Sequence, residues 1–174
     1  MEAAGQPPSL RFETATPATA PALAALHTAV AQDLTARFGP GGWSRKTSEK
    51  GAHLALRTSL VRVAWGAEGL SASFALTAKK PWAIDRAYFS ACVKPLYLIN
   101  MAVDPRQQRQ GLGRACIEDA KKMAVAWPAD AIRLDAYDAA AGAAEFYGKA
   151  GLREVARVSY RTTPLVYFEL LLAV

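Results

Sequence analysis

The hydrophobic pattern changes its period several times along the chain. Apolar residues recur every three or four positions from Thr19 to Phe38, which predicts an amphipathic helix. Ser48 to Ser59 is weakly helical, and Gly113 to Trp127 has a clear helical period. A further helix is expected over Ala139 to Ala150, with Asp138 as its N-cap. The pattern therefore predicts about four helices.

Other segments have the pattern of β-strands. Leu96 to Val103 is an almost continuous apolar run, which is typical of a buried central strand. The remaining strands are expected at residues 10–14, 60–63, 70–77, 131–137, 155–160 and 165–172. Residues 78–91 between two of them read as a long polar and aromatic loop. Helices interleaved with strands predict an α/β (α+β) fold with a mixed central sheet of about seven strands.

The composition adds the class of protein. The chain has 174 residues, of which 52% are hydrophobic and 21% charged. This is a globular composition, and it excludes disordered, collagen-like and disulfide-scaffold proteins. The length is sufficient for a sizeable core and short for two domains. We therefore expect a single domain over residues 1–174.

The apolar runs and the cysteines of the sequence indicate where the protein acts and which metal or disulfide chemistry it has. No apolar run reaches the roughly 18 residues that a transmembrane helix needs. Met1 to Ser9 lacks the apolar run of a secretory signal. Cys92 and Cys116 are too few for a metal cluster or a disulfide framework. We expect reduced thiols, a cytoplasmic location, no membrane association and no metal.

The net charge of +6 permits a polyanionic partner. The Lys and Arg residues are scattered, and no run of them is interleaved with aromatic residues, so no nucleic-acid partner is expected. A phosphate-rich small molecule needs only a few basic groups, and the composition leaves that class open.

One loop has a sequence suited to phosphate. The strand that ends at Val103 leads into a loop with Gly111 and Gly113, and a helix begins at once. The first N–H groups of a helix lack intrahelical partners and lie at its positive end, so they attract anions. Three arginines add positive charge: Arg106, Arg109 and Arg114. A tight strand-to-helix turn with two ordinary glycines would give the same pattern.

Two well-known phosphate motifs do not fit this loop. A Walker A loop requires Lys and then Ser or Thr after its last glycine, whereas Gly113 is followed by Arg114 and Ala115. The dinucleotide fingerprint requires three glycines at fixed spacing, and the loop has two.

The loop instead resembles the signature of a known family. Residues 108–113, QRQGLG, fit the Q/R-x-x-G-x-G/A signature of the GNAT acyltransferases, the CoA-dependent N-acetyltransferases. Residues 102–105, AVDP, match the usual strand exit before that signature. Residues 146–152, FYGKAGL, resemble the family's F-Y-x-x-x-G-F segment. The resemblance extends over roughly residues 60–170 and implies a single-domain GNAT-like fold.

The resemblance implies acetyl-CoA as the cosubstrate. In the family, backbone N–H groups of the signature loop hold the CoA pyrophosphate. The corresponding residues here are Gln108, Arg109, Gln110, Gly111, Leu112, Gly113 and Arg114. A Cβ at either glycine would fill the space that the phosphate needs.

The resemblance also assigns the strand that binds the pantetheine arm. The arm pairs like an extra strand with the fourth strand, here with the backbone of Met101, Ala102 and Val103. The Met101 N–H would donate a hydrogen bond to the thioester carbonyl, which stabilises the charge that develops there.

Tyr147 occupies the family's usual general-acid position, from which a phenol can protonate the departing thiolate. The other interpretation of Tyr147 is a core tyrosine, since Phe146 beside it packs. The positions of a conventional base on the fourth strand hold Ile99 and Tyr97. Ile99 cannot accept a proton, and Tyr97 is a poor base that could hold a water. Asp85 or a water chain could substitute.

Asn100 is expected on the opposite strand face, in a structural role. Three loop aromatics are candidates to line the acceptor site or to shield the core from solvent: Trp43, Trp82 and Tyr88. Residues 39–42, GPGG, predict a mobile loop that carries Trp43.

These implications converge on an N-acyltransferase. It would move an acetyl group from acetyl-CoA to the primary amine of a small molecule or peptide, by direct transfer in a ternary complex. The alternative is a non-catalytic acyl-CoA-binding regulatory module on the same fold. A homodimer through the C-terminal strands is the assembly we expect.

Overall fold

The computed structural model describes residues 10–173. In this range the strands are β1 (Phe12–Thr14), β2 (Leu60–Gly66), β3 (Gly69–Thr77), β4 (Pro95–Val103), β5 (Ala131–Tyr137), β6 (Arg153–Tyr160) and β7 (Thr163–Leu171). They form one sheet in the order β1-β2-β3-β4-β5-β7-β6. Neighbouring strands are antiparallel except β4 and β5, so the sheet is mixed as predicted. The segment Met1–Ser9, predicted not to be a secretory signal, lies outside the described residues.

Helices cover both faces of the sheet. Within residues 10–173 they are α1 (Ala20–Phe38), α2 (Glu49–Thr58), α3 (Leu112–Ala126) and α4 (Ala144–Lys149). The helices α3 and α4 pack on one face through Cys116, Ile117 and Tyr147. The helices α1 and α2 pack on the other face, over β2 and β3. The fold class and the number of helices and strands are as predicted.

The long loop between β3 and β4 covers the rest of the second face. Ile84 of this loop is buried with Tyr97, Leu165 and Tyr167. The Tyr167 hydroxyl donates a hydrogen bond to the Ala83 carbonyl. The loop therefore completes the core where no helix covers the sheet. None of the helices in the described residues is long and apolar enough to cross a membrane.

The start of the last helix differs from the prediction. Asp138 does not cap it: the helix begins at Ala144, and the Asp138 carboxylate accepts a hydrogen bond from Arg157 at 2.9 Å instead. The Gly142 N–H donates to the Ala139 carbonyl at 2.8 Å, which closes a turn before the helix. A Cβ at Gly142 would overlap the Tyr137 carbonyl, so this close turn requires glycine.

A bulge and a gap interrupt the sheet at β4. Ser73 pairs with Ala102 and Ala75 with Ile99, so one residue of β3 lies opposite two of β4. Asn100 in this bulge has a φ of +52°. In the described structure β4 pairs with β5 only from Pro95 to Tyr97. Beyond Tyr97 the two parallel strands separate, and the edge of β4 that faces β5 is open.

Candidate active site

The loop from Asp104 to Gly111 carries two left-handed residues. Arg109 has a φ of +62°, and Gly111, the N-cap of α3, has a φ of +86°. A Cβ built on Gly111 would meet no atom within 4 Å, so this side of the loop is open. The exposed loop therefore presents the N-terminus of α3 to a ligand. This loop is the one that the sequence predicts to hold phosphate.

The base of the loop is fixed to the sheet. The Asp104 N–H donates to the Ser71 carbonyl at 2.8 Å, and the Ser71 hydroxyl donates to the Gln107 side chain at 2.9 Å. The Arg106 guanidinium binds Asp104 at 2.8 Å and also pairs with Glu68. The hydrogen bond from Arg106 lowers the pKa of the Asp104 carboxyl below its ordinary value. The charge of Arg106 is thus compensated within the protein.

The other two arginines of the loop are exposed. Arg109 makes no ion pair or side-chain hydrogen bond within residues 10–173. Arg114 donates one hydrogen bond, to the Lys149 carbonyl at 3.1 Å. These two cations, rather than Arg106, remain to compensate phosphate charge.

Gly113 differs from Gly111 in what surrounds it. A Cβ on Gly113 would lie 2.9 Å from the Phe146 ring, too close for an ordinary contact. The sequence-based expectation was that such a Cβ would occupy the phosphate space. The structure corrects the reason for Gly113: the residue allows α3 to pack closely on Phe146.

The gap between β4 and β5 holds a cavity of about 360 Å³. It is lined by residues of α1, β4, β5, α4 and the loops that follow α1 and β5: Leu34, Trp43, Leu98, Ile99, Asn100, Met101, Asp135, Ala136, Tyr137, Ala141, Gly142, Ala143 and Tyr147. Met101, predicted to hold the thioester carbonyl, therefore lies in the same cavity as Tyr147, predicted to donate a proton. Ala102 and Val103 follow on the open edge of β4.

Tyr147 is 8% exposed and belongs to the core beneath α3 and α4. Its ring packs edge-on against Phe146, and it also contacts Phe168. Burial raises the pKa of the Tyr147 phenol well above its ordinary value, and nearby Cys116 and Asp135 raise it further. The phenol is therefore fully protonated at neutral pH, and the raised pKa also makes it a weaker acid toward a departing thiolate.

Asp135 enters the cavity from the other face of the sheet. Its neighbours Leu134 and Ala136 point into the core under α3 and α4, so by strand alternation Asp135 points toward the α1 side. Its carboxylate has no side-chain partner among the described residues. Burial raises its pKa above the ordinary value. A poorly solvated carboxylate without a cation is a candidate proton acceptor.

Asp135 was not among the site residues predicted from the sequence. The available signal was a carboxylate inside the buried strand AIRLDAY. The preceding position on the same face holds Arg133, which the structure pairs with Glu169 instead. Asn100 was also misassigned. The bulge leaves it exposed on the wall of the cavity, rather than in a structural position on the opposite face.

Trp43 lines the cavity on the α1 side of the sheet. Its ring packs edge-on against Tyr137, with 5.5 Å between ring centroids. The Trp43 indole N–H donates to the Gly39 carbonyl at 2.9 Å, and the Ser44 hydroxyl accepts from Thr35 at 2.6 Å. The segment predicted to be mobile is therefore a hydrogen-bonded turn. Trp82 and Tyr88, which are largely exposed, do not line this cavity.

The other proposed participants lie elsewhere. Tyr97 is fully buried with Ile84 and Tyr167, and it lines a different cavity at the start of β4. Asp85 accepts a hydrogen bond from the Ala87 N–H at 2.9 Å and is not part of the cavity in the gap. Of the candidates for handling protons, the structure brings Tyr147 together with Asp135 and not with Tyr97 or Asp85.

Comparison with known proteins agrees with this geometry. The model of the Acetyltransferase (GNAT) family matches residues 33–152, and the chain belongs to that family. None of the curated proteins matches the sequence significantly.

Solved structures show the same fold at low identity. The ribosomal-protein-S18-alanine N-acetyltransferase of Escherichia coli has a TM-score of 0.68 and 17% identity, with 94% of each chain covered. Ribosomal-protein-alanine N-acetyltransferase from Brucella melitensis has a TM-score of 0.70 and 16% identity, covering 94% of this chain and all (100%) of that one. The structure of yncA from Salmonella typhimurium with its cofactor acetyl-CoA has a TM-score of 0.68 and 15% identity, with 95% of each chain covered. The family uses acetyl-CoA, and this chain is an acetyltransferase by family.

Proposed function

We propose that this protein transfers the acetyl group of acetyl-CoA to a primary amine, by direct attack in a ternary complex. The observation that carries the proposal is that Tyr147 and Asp135 line one cavity at the open edge of β4. The gap passes through the sheet, so the two substrates can enter from opposite faces. The thioester would lie on the α3 and α4 side with Tyr147, and the amine on the α1 side with Asp135.

Acetyl-CoA supplies the activated acetyl thioester, and the residues present fit its shape and charge. The loop Gln108 to Arg114 would hold the pyrophosphate on backbone N–H groups, with Arg109 and Arg114 as exposed cations. The open edge of β4 from Met101 to Val103 would pair with the pantetheine arm. The pantetheine arm would pair with backbone groups of β4, so its binding requires no particular side chain there. Alanine at position 102 is therefore sufficient.

Asp135 would accept a proton from the incoming ammonium. An alkyl amine is mostly protonated at neutral pH, and only the free amine has the lone pair that forms the C–N bond. The Met101 N–H would donate to the thioester oxygen as negative charge develops on it. Asp135 would pass this first proton to solvent and take the second proton from nitrogen once the C–N bond has formed. As the C–S bond breaks, Tyr147 would donate its proton to sulfur and regain one from solvent. The products are an N-acetyl amide and free CoA thiol.

The acceptor is proposed to be a small molecule or a peptide that presents one unhindered amine to Asp135. Trp43, Tyr137 and Leu34 supply an apolar wall for the group that carries this amine. Two of the structural neighbours are named for acetylating ribosomal-protein alanine, so a peptide N-terminus belongs among the acceptors to be tested.

We propose a cytoplasmic location, supported by the free thiols of Cys92 and Cys116. The homodimer expected from the C-terminal strands stays a prediction.

Thiol release tests the proposed function. The purified chain is incubated with acetyl-CoA and a panel of amines that includes polyamines, aminoglycosides, amino acids and peptides with N-terminal alanine. An enzyme releases CoA thiol in proportion to one class of amine, and mass spectrometry finds that amine 42 Da heavier, about the mass of one acetyl group in place of hydrogen. A regulatory module would bind acetyl-CoA and release no thiol with any amine. That outcome, with binding verified by calorimetry, would contradict the proposal.

A further inference from the structure

A second cavity, of about 340 Å³, lies at the start of β4. Its residues come from the loop before β4, from β4 and β5, and from the end of α3. Tyr97, Leu96 and Arg133 are at most 3% exposed and form its floor. Exposed side chains form its rim, among them Val93 and Trp127. None of its lining residues belongs to the cavity in the gap between β4 and β5.

The floor contains a buried hydroxyl that lacks a partner. In the part of the chain that the structure describes, Tyr97 Oη is the single buried side-chain polar atom without a hydrogen bond. It lies beside the Arg133 guanidinium, without the geometry of a hydrogen bond. Buried polar groups in proteins nearly always have a partner, because burying them without one is unfavourable. A ligand in this cavity is a natural source of that partner.

The Arg133 guanidinium in the floor shares its carboxylate partner with a second arginine. Arg133 donates from Nε to Glu169 at 3.1 Å and from Nη2 to the Ser90 carbonyl at 2.5 Å. Arg153 binds the other oxygen of the same Glu169, also at 3.1 Å. One buried carboxylate is thus shared by two guanidinium groups. Arg133 Nη1 has no hydrogen-bond partner within residues 10–173 and remains able to donate.

The lining of the cavity is cationic and apolar. The charged residues that line it are Arg86, Lys94 and Arg133. The Asp130 carboxylate lies just outside this lining, where it accepts hydrogen bonds from the Val93 and Lys94 N–H groups at 2.7 and 3.0 Å. Trp127 and Val93 supply an apolar wall next to these cations. The planar guanidinium of arginine suits a carboxylate, which can accept two hydrogen bonds at once.

We propose that this cavity binds a small monocarboxylate with an apolar body, whose carboxylate accepts hydrogen bonds from Arg133 and Tyr97. The apolar body lies against Trp127 and Val93, and Lys94 and Arg86 attract the anion at the rim. The site is separate from the acetyl-transfer site, so its occupation does not depend on the proposed reaction.

Benzoate is the probe, because it combines one carboxylate with an apolar ring, and benzamide is its uncharged control of the same shape. The full-length chain is titrated with each by calorimetry, in the presence of saturating acetyl-CoA to fill the other cavity. We expect benzoate to bind with a dissociation constant on the order of 1 mM, as suits so few ligand atoms. Benzamide is expected to bind at least tenfold more weakly, about the effect of one lost charge-assisted hydrogen bond.

Substitutions identify the site. Tyr97→Phe removes only the unpaired hydroxyl and should weaken benzoate binding about tenfold. Tyr160→Phe is the matched control, because Tyr160 lies in the same core cluster but does not line the cavity, and it should leave the affinity unchanged. Lys94→Gln, at the exposed rim, should weaken binding a few-fold and reduce its dependence on salt. Lys94→Gln also keeps the proposal testable if a change at Tyr97 disturbs the core.

Cys92 gives an independent readout, since it also lines this cavity and is partly exposed. Cys116 is fully buried, and burial raises the pKa of its thiol to about 12, so alkylation by iodoacetamide reports on Cys92. Bound benzoate should slow that alkylation severalfold, and benzamide should not. Equal affinities for benzoate and benzamide would overturn the proposal. So would an unchanged affinity in both Tyr97→Phe and Lys94→Gln, or loss of benzoate binding when acetyl-CoA is added.

Discussion

Burial raises the pKa of the Tyr147 phenol, and the nearby Asp135 carboxylate raises it further, although the two side chains leave opposite faces of the sheet. They can interact because β4 and β5 are not paired beyond Tyr97. In the proposed reaction, the same gap would give a thioester on one face access to an amine on the other. Separation of two parallel strands thus creates the space in which the proposed proton donor and the proposed proton acceptor meet.

Tyr147→Phe tests the proton donor. The substitution keeps the ring against Phe146 and Phe168, so the protein should fold normally and bind acetyl-CoA within a few-fold of wild type. Turnover should fall roughly 10²-fold, the low end of general acid–base effects. Steady-state rates at saturating acetyl-CoA measure this, with Tyr160→Phe as the control. Wild-type turnover in Tyr147→Phe would remove Tyr147 from the mechanism.

Asp135→Asn tests the proton acceptor and should separate activity from stability. Turnover should fall about 10²- to 10³-fold, because the amide cannot accept a proton. The pKa of Asp135 is raised by burial, so its charged form opposes folding once the pH exceeds the unfolded-state pKa. The uncharged variant should therefore have a higher Tm than wild type at pH 7, and the difference should shrink in acid.

The control for Asp135→Asn is Asp138→Asn. This change removes an exposed ion pair with Arg157 and should alter Tm only slightly and turnover less than twofold. If Asp135→Asn kept wild-type turnover at every pH, a solvent path would have to carry the amine proton.

Gly111→Val tests the phosphate cradle. Valine is strained at a φ of +86°, and its side chain would project into the open space over the loop. Acetyl-CoA binding should become undetectable by calorimetry while the fold remains.

Gly69→Val is the matched control, since Gly69 also has a positive φ, of +132°, and an open Cβ position in the β2–β3 turn. Gly69→Val should cost stability and leave the acetyl-CoA affinity unchanged. Equal affinities in wild type and a folded Gly111→Val would refute this role of the loop. For wild type, the affinity should weaken as salt rises.

Tyr97→Phe tests whether the Tyr97 hydroxyl on β4 takes part in catalysis. Because Tyr97 is buried outside the cavity in the gap, its hydroxyl touches no reacting group there, and turnover should fall at most about tenfold. Stability should be unchanged or slightly higher, since the lost hydroxyl has no partner within the described residues. A thousandfold loss of turnover with acetyl-CoA binding retained would give Tyr97 a much larger role.

Glu169→Ala tests the buried ion pair beside the second cavity. It should lower the free energy of unfolding by about 3–5 kcal/mol, because Arg133 would stay buried without its partner. Burial acts to raise the pKa of the Glu169 carboxyl, but hydrogen bonds from Ser90 and Arg133 outweigh it and lower the pKa. This contribution to stability is therefore complete above the ordinary glutamate pKa and is lost as the pH falls through the lowered value. Urea titrations from pH 7 to pH 3 measure both effects.

The control is Glu154→Ala, which breaks an exposed ion pair with Arg157. It should lower the free energy of unfolding by less than about 1 kcal/mol.

Periodicity alone was sufficient to predict most helices and strands, because an amphipathic helix and a buried strand each impose a period on the apolar residues. The α1 helix, predicted to start at Thr19, is observed from Ala20, and β5 has the predicted bounds. The start of α4 was wrong, because a close backbone turn at Gly142 takes the place of the expected cap. Local sequence does not report how near another segment of backbone lies.

The sequence by itself determined the family, through the loop at residues 108–113 and the segment at 146–152. It also indicated the phosphate cradle and Tyr147, because both depend on local motifs. Only the tertiary structure decided how β4 and β5 separate, and which side chains enter the gap. The bulge at Asn100 shifts the alternation of β4, so Met101 and Val103 pack on the same face as Leu98. Strand alternation read from the sequence cannot foresee that shift, since a bulge arises from pairing with a neighbouring strand. For the same reason Asp135 becomes a candidate proton acceptor only once β5 is seen beside an open edge.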